Sequence, residues 1–175
     1  MFKSHLFRGN LNRRLTLPRL LVCWFLLSNF LQAQEVPMVR HFTKKEYHGQ
    51  NQNWSIAQGP DQCIYVGNYE GVLRYDGAWW RCLPLPTRQV VRAVACDAAG
   101  RVFAGGYGTA GFWLLLKNGQ YTFVCILDSV TNEQAHREEY WHVLCTDEAV
   151  YFQSFALILR YDYQTTQVLR LPGNG

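Results

Sequence analysis

Charge is scarce in this chain: Asp, Glu, Lys and Arg together make up 17% of its 175 residues, against 49% hydrophobic and 15% aromatic residues. That balance excludes a solvated, disordered chain and predicts a packed fold with broad apolar faces. No G-x-S-x-G elbow, Walker loop or H-E-x-x-H occurs, so no catalytic class is indicated and no cofactor is expected. No C-x-x-C occurs either, and a zinc site has no cysteine spacing to build on. The most apolar stretch, "LLVCWFLLSNFL" from Leu20 to Leu31, has 12 residues. A membrane-spanning helix needs roughly 20.

That stretch follows Lys3, Arg8, Arg13, Arg14 and Arg19 and leads into "QAQ". Basic residues, a short apolar run and a small residue make the form of a secretory signal peptide over residues 1–33, with cleavage expected after Ala33. The larger Leu31 at the minus-three position leaves an uncleaved signal anchor as the alternative. The product is thus expected to be exported and periplasmic, meeting the membrane only through an uncleaved signal or a helix downstream. Five of the 17 basic residues lie in the leader, so the remainder carries 12 basic against 13 acidic residues, a net charge of −1. A basic surface for nucleic acid is excluded for this segment.

Cys63, Cys82, Cys96, Cys125 and Cys145 remain in the exported part, and an odd number cannot all pair internally. Strand-like surroundings such as "QCIYVG" and "FVCIL" favour buried free thiols acting as small hydrophobes, with a disulfide as the other reading.

The strongest signal is a repeat. "WSIAQGPDQCIYVGNYEGVLRYD" from Trp54 is echoed by "VRAVACDAAGRVFAGGYGTAGFW" from Val91 and "WHVLCTDEAVYFQSFALILRYD" from Trp141. Tyr65, Phe103 and Tyr151 hold equivalent places, and the longer second interval contains the polar insert "DSVTNEQAHREEY". Short strands repeating every roughly 40 residues mark β-propeller blades. In the first copy, alternation places strands near 54–58, 63–67, 71–75 and 79–83, with Asp76-Gly77 opening the last hairpin. The expected fold is all-β: a partial β-propeller over residues 34–175, with about three four-stranded antiparallel blades near 50–85, 90–125 and 138–172.

Antiparallel pairing brings the start of the first strand, the end of the second and the start of the third to one edge. If the first strand is innermost, that edge rims a central channel. The residues expected there are Asn53, Trp54, Asn68, Tyr69 and Glu70, then Arg92, Tyr107 and Thr109, then Trp141, His142, Gln153, Ser154 and Phe155. Asn68, Tyr69, Glu70, Tyr107, Trp141, His142, Gln153 and Phe155 are the candidate ligand-binding residues. Rings that stack and amides that meet hydroxyls suit carbohydrate or another uncharged polar ligand. The competing reading is structural: rings at blade edges pack on neighbouring blades, Trp79 and Trp80 above all, and the glycines serve tight turns.

Two further patterns carry less. "GGYGTAG" lies between strands and offers no helix N-terminus for phosphate. His136, Glu139 and His142 have metal-like spacing only on a helix, which the strand pattern of "YWHVL" opposes, so no metal is expected. The acidic pair Glu138 and Glu139 reads as a solvated turn.

"QNWSIAQ…IYVGNYEGVLRYDG", "GRVFAGGYGTAGFW" and "YWHVL…VYFQSFALILRYDY" resemble the start of the periplasmic propeller sensors of Bacteroidetes-type bacteria, the two-component-regulator propeller or triple-tyrosine-motif proteins. The resemblance covers about Phe42 to Asp162. It implies a sensor whose full-length members continue through further blades, a triple-tyrosine sandwich, a membrane helix and a helix-turn-helix or kinase output. "GPDQC" departs from the more usual Asp and Gly turn, and "LLLKNGQ" replaces a charged strand edge.

Three blades fall short of the 4 to 8 with which propellers close. The expected partners are therefore the remaining blades of a longer chain, of which this would be a truncated front piece, or a second chain. The leading expectation for function is the ligand-sensing, signal-input segment of a membrane-bound transcriptional regulator. The alternative is a secreted or periplasmic module that binds glycan or protein without signalling. An enzyme would need paired catalytic residues that the chain does not offer.

Overall fold

The computed structural model describes residues 37–171, so the signal peptide expected over residues 1–33 lies outside the described residues. The fold is all-β, with three four-stranded antiparallel sheets in chain order. Blade 1 contains β1 (Asn53–Gln58), β2 (Ile64–Asn68), β3 (Gly71–Tyr75) and β4 (Trp80–Leu83). Blade 2 contains β5 (Val91–Cys96), β6 (Val102–Gly106), β7 (Thr109–Leu115) and β8 (Tyr121–Cys125). Blade 3 contains β9 (His142–Cys145), β10 (Val150–Gln153), β11 (Leu157–Tyr161) and β12 (Thr166–Arg170). Each is a meander in which every strand pairs with its successor. Strands β1, β5 and β9 lie beside one another, which makes the first strand of each blade the inner one.

The repeat is kept in register. Tyr65 pairs with Arg74, Phe103 with Phe112 and Tyr151 with Arg160, so the three aromatics occupy one place in three blades. Period-two alternation then gives each blade two apolar faces. On β6, Val102 and Ala104 join Tyr65, Val72 and Leu83 in the core between blades 1 and 2. Phe103 points the other way and joins Phe152, Leu157 and Leu159 between blades 2 and 3. Burial on both sides explains why β6 is buried at all five positions.

The polar insert before blade 3 is less solvated than its composition suggests. Ile126, Leu127, Val130, Ala135 and Tyr140 from this connection are buried in the second core. The Tyr140 hydroxyl donates to the Ala135 carbonyl at 2.7 Å. Two short 3-10 turns, Ile126–Ser129 and Ala135–Arg137, compact it.

Ahead of blade 1, the single-turn helix α1 (Lys44–Tyr47) begins with a capping box between Thr43 and Glu46. Phe42 and Tyr47 set their rings against Trp80, at centroid distances of 5.3 and 5.8 Å. Trp80 also stacks on Tyr75 of its own blade at 4.8 Å. The expectation that Trp79 and Trp80 pack between blades is corrected accordingly: Trp80 packs on its own blade and the preceding segment, and Trp79 is 79% exposed.

Candidate functional site at the channel mouth

The inner strands of blades 1 and 2 begin with a bulge. Register breaks between Asn53 and Ser55 and between Val91 and Ala93, which leaves Trp54 and Arg92 as the extra residues. A bulge re-aims its unpaired side chain out of the alternation. Trp141 holds the matching place ahead of β9, where its N–H donates to the Gln153 carbonyl at 2.9 Å.

These three residues, one from each blade, meet. The guanidinium of Arg92 lies 3.9 Å from the Trp54 ring centroid and 5.0 Å from that of Trp141. The two indoles are edge to face at 6.3 Å. Arg92 is held from a third direction by an ion pair between its Nε and Glu139. Glu139 is itself fixed, because Tyr107 and Glu139 form an isolated bridge and the neighbouring Gly108 N–H donates to the Glu138 carbonyl at 2.8 Å. The Glu138–Glu139 turn is therefore an anchored part of the mouth.

Beside the stack, Trp141, His142, Gln153, Ser154 and Phe155 line a cleft of about 230 Å³. Phe155 is 77% exposed and its ring stands 5.9 Å from that of Trp141. Trp141 Nε1 is buried and has no hydrogen-bond partner. An indole N–H can only donate, so a buried one left unmet costs about 1–3 kcal/mol. The cleft thus presents the rings of Trp141 and Phe155, with His142 and Gln153 exposed at its edge. Its volume is below the roughly 300 Å³ of pockets that enclose drug-sized molecules, which suits a single small ring.

The candidates from sequence divide into three groups. Trp141, His142, Gln153 and Phe155 come together in this cleft, and exposed Tyr107 stands at the bridge to Glu139. Tyr69 lines a separate hollow with Gln50, Asn51 and Gln52, while Glu70 accepts a hydrogen bond from the Gln50 amide at 3.0 Å. Asn68 is a scaffold residue: it is fully buried, its amide donates to Gln50 O, Gln52 O and Asn53 Oδ1, and its oxygen accepts from the Gln50 and Glu70 N–H groups. Thr109 and Ser154 are also buried, Ser154 bonding to Leu157 within its own turn. What sequence reading missed is the pairing of Arg92 with Glu139, which are 47 positions apart. Only the inner-strand register could have found it.

The metal-like trio is dispersed. His136 Nε2 lies 2.7 Å from the Val130 carbonyl, Glu139 is on Arg92, and His142 opens β9. Among the described residues no cluster of three or more metal-ligating side chains exists. At the opposite end of the inner strands, Cys96 and Cys145 line a cleft of about 260 Å³ with Asp97, Arg101 and Tyr163. Burial pushes both thiols up to about 12. Among the described residues, all five cysteines are free.

Compared with known protein families and with curated proteins, the chain matches none.

Proposed function

We propose that this chain is the ligand-sensing input segment of a membrane-bound transcriptional regulator, exported through its leader and acting by binding rather than by chemistry. The observation that carries the reading is the Trp54–Arg92–Trp141 stack, to which each blade contributes its first-strand residue. A mouth held by one residue per blade couples occupancy to blade arrangement, which is what a signal input requires. The ligand class that fits is carbohydrate or another uncharged polar molecule. Arg92 is already neutralised by Glu139, and the Trp141 and Phe155 rings supply stacking beside the exposed His142 and Gln153.

A second reading, a secreted or periplasmic module that binds glycan or protein without signalling, is favoured by the same cleft, whose lining comes wholly from blade 3. Calorimetric titration with neutral oligosaccharides tests the binding common to both. Saturable heat that disappears in Trp141→Ala is expected, and no heat with any of them contradicts the ligand class. The coding DNA beyond Gly175 separates the two: in-frame blades, a membrane helix and a helix-turn-helix region favour the regulator, and a stop after further blades favours the secreted binder.

A further inference from the structure

The β7–β8 hairpin of blade 2 departs from its counterparts in blades 1 and 3. By register, Tyr75, Trp113 and Tyr161 hold one place in the three blades. The next residue is Asp76 in blade 1 and Asp162 in blade 3, and each carboxylate closes its turn at once by accepting from backbone N–H groups. Blade 2 has Leu114 in that place and continues through Leu115 and Leu116 before it turns. Strand β7 accordingly has seven residues against five in β3 and β11, and its hairpin runs on past the level at which theirs turn.

This overhang is apolar and uncovered. Leu114, Leu115 and Leu116 are 38%, 62% and 42% exposed. Successive side chains of a strand point to opposite faces, so the three leucines clothe both faces of the overhang. A protein partner lying against the sheet would cover one face, whereas a fluid apolar medium covers both. The polar groups of the tip are largely paired with one another. The Leu116 N–H donates to the Gln120 carbonyl at 2.7 Å and the Gly119 N–H to the Leu116 carbonyl at 2.9 Å. Asn118 Oδ1 accepts from the Gln120 N–H at 3.0 Å, and the Asn118 amide donates to Gln120 Oε1 at 2.9 Å. A neutral amide thus holds the turn that a carboxylate holds in blades 1 and 3, and internal pairing of this kind lowers the cost of leaving water.

The charges nearby agree with a lipid surface. Lys117 is the only charged residue from Leu114 to Cys125, and among the described residues it makes no ion pair. An ammonium on a long stem beside exposed leucines can reach phosphate headgroups while its stem stays on apolar ground. Asp76 and Asp162 of the neighbouring hairpins are each met by an arginine at 3.5 Å. Exposed Trp79, at the corresponding turn of blade 1, is of the residue type that favours membrane–water interfaces. Exposed Asp147 and Glu148, in the β9–β10 turn at the same end of blade 3, confine such a contact to the corner formed by blades 1 and 2.

We propose that the β7–β8 tip inserts Leu114, Leu115 and Leu116 into the surface of a lipid bilayer, with the Lys117 ammonium among the phosphate headgroups. Antiparallel pairing puts this tip at the end of the blade opposite the mouth. Docked this way, the chain turns its mouth away from the bilayer, and the contact stands whatever the mouth binds.

Hydrogen–deuterium exchange of the full chain, with and without vesicles of phosphatidylethanolamine and phosphatidylglycerol, tests this by mass spectrometry. The apolar run Leu20–Leu31 can itself bring the chain to vesicles, so the reading is taken at the tip and not from binding as such. Vesicles are expected to slow exchange over residues 114–120 in the wild-type chain and to leave β6, buried at all five positions, unchanged. That slowing should be lost in Leu115→Gln/Leu116→Gln. If this variant loses its β-sheet circular dichroism, Leu115→Asn alone, at the most exposed of the three leucines, is read in the same way. A tip unaffected by vesicles, slowing that survives the substitutions, or slowing that appears on concentrating the protein without lipid, as a protein partner would produce, overturns the proposal.

Discussion

Arg92 and Trp54 come from different blades, yet the guanidinium carbon of one lies 3.9 Å from the ring centroid of the other. Both are bulge residues, so the backbone irregularity and the contact have one cause. The guanidinium plane satisfies a ring face and, through Nε, the Glu139 carboxylate at once. Arg92→Ala is expected to lower stability by about 1–2 kcal/mol and to change tryptophan emission. Arg92→Lys, lacking the planar fork, should recover only part of either. Chemical denaturation followed by fluorescence measures both quantities. Unchanged emission in Arg92→Ala would mean that the stack does not exist in solution.

Glycine on β6 sets the approach of the Tyr140 segment to blade 2. A Cβ on Gly105 would stand 2.9 Å from Tyr140 Cβ. Gly105→Ala should therefore cost about 1–3 kcal/mol by overpacking. Gly77 is the contrast, because its positive φ of 96° is its only constraint and a Cβ there meets nothing within 4 Å. Gly77→Ala is expected to cost roughly 1 kcal/mol, from backbone strain alone. Thermal denaturation of the two variants should rank them in that order.

Asp76 and Asp162 make the same turn in blades 1 and 3. Asp76 accepts hydrogen bonds from the Trp79 and Ala78 N–H groups, and Asp162 from those of Thr165 and Gln164. These bonds, with the Trp79 and Thr165 N–H groups foremost, hold both carboxyls below the usual 3.8. A carboxyl with a lowered value contributes stability above its unfolded value and loses it as pH falls through the folded one. The melting temperature should consequently decline below about pH 4, and less steeply in Asp76→Asn/Asp162→Asn.

Cys96 and Cys145 titrate in the opposite sense. Burial raises both to about 12 from an ordinary 9.0. A raised value contributes stability that is full below the unfolded pKa and lost as pH climbs toward the folded one. The native chain should resist alkylation at these two thiols at neutral pH, react after unfolding, and melt at lower temperature as pH rises beyond 9. Mass spectrometry after iodoacetamide treatment identifies the thiols that react. Rapid native labelling of Cys96 or Cys145 at neutral pH would contradict the raised titration of these partly buried thiols.

Much of the blade pattern was legible in the sequence for a physical reason. Period-two alternation and Asp-Gly turns are local, so β1, β2 and β3 begin and end within a residue or so of the places read from them. The repeat also aligns Tyr65, Phe103 and Tyr151, and the strand register keeps them in one place. What a local pattern does not carry is partnership across blades. "DSVTNEQAHREEY" reads as polar, yet it delivers Ala135 and Tyr140 to a core because blade 3 folds back over it. Asn68 reads as a mouth amide, yet Gln50, Gln52, Asn53 and Glu70 already occupy its polar atoms. Trp80 reads as packing between blades, yet α1 reaches it first. Arg92 and Glu139 stand far apart in sequence, and only the inner-strand geometry joins them.

On the proposed function, the mouth beside Trp141 receives a ligand. Indole N–H resonances in a proton–nitrogen correlation spectrum report on it directly, since the Trp141 ring lines the cleft. On titration with neutral oligosaccharides, the Trp141 indole signal is expected to shift and that of Trp54 to shift with it, while Trp113, buried between blades 1 and 2, stays in place. A Trp141 signal that stays fixed throughout, or shifts confined to Trp79 and Trp80, would contradict it.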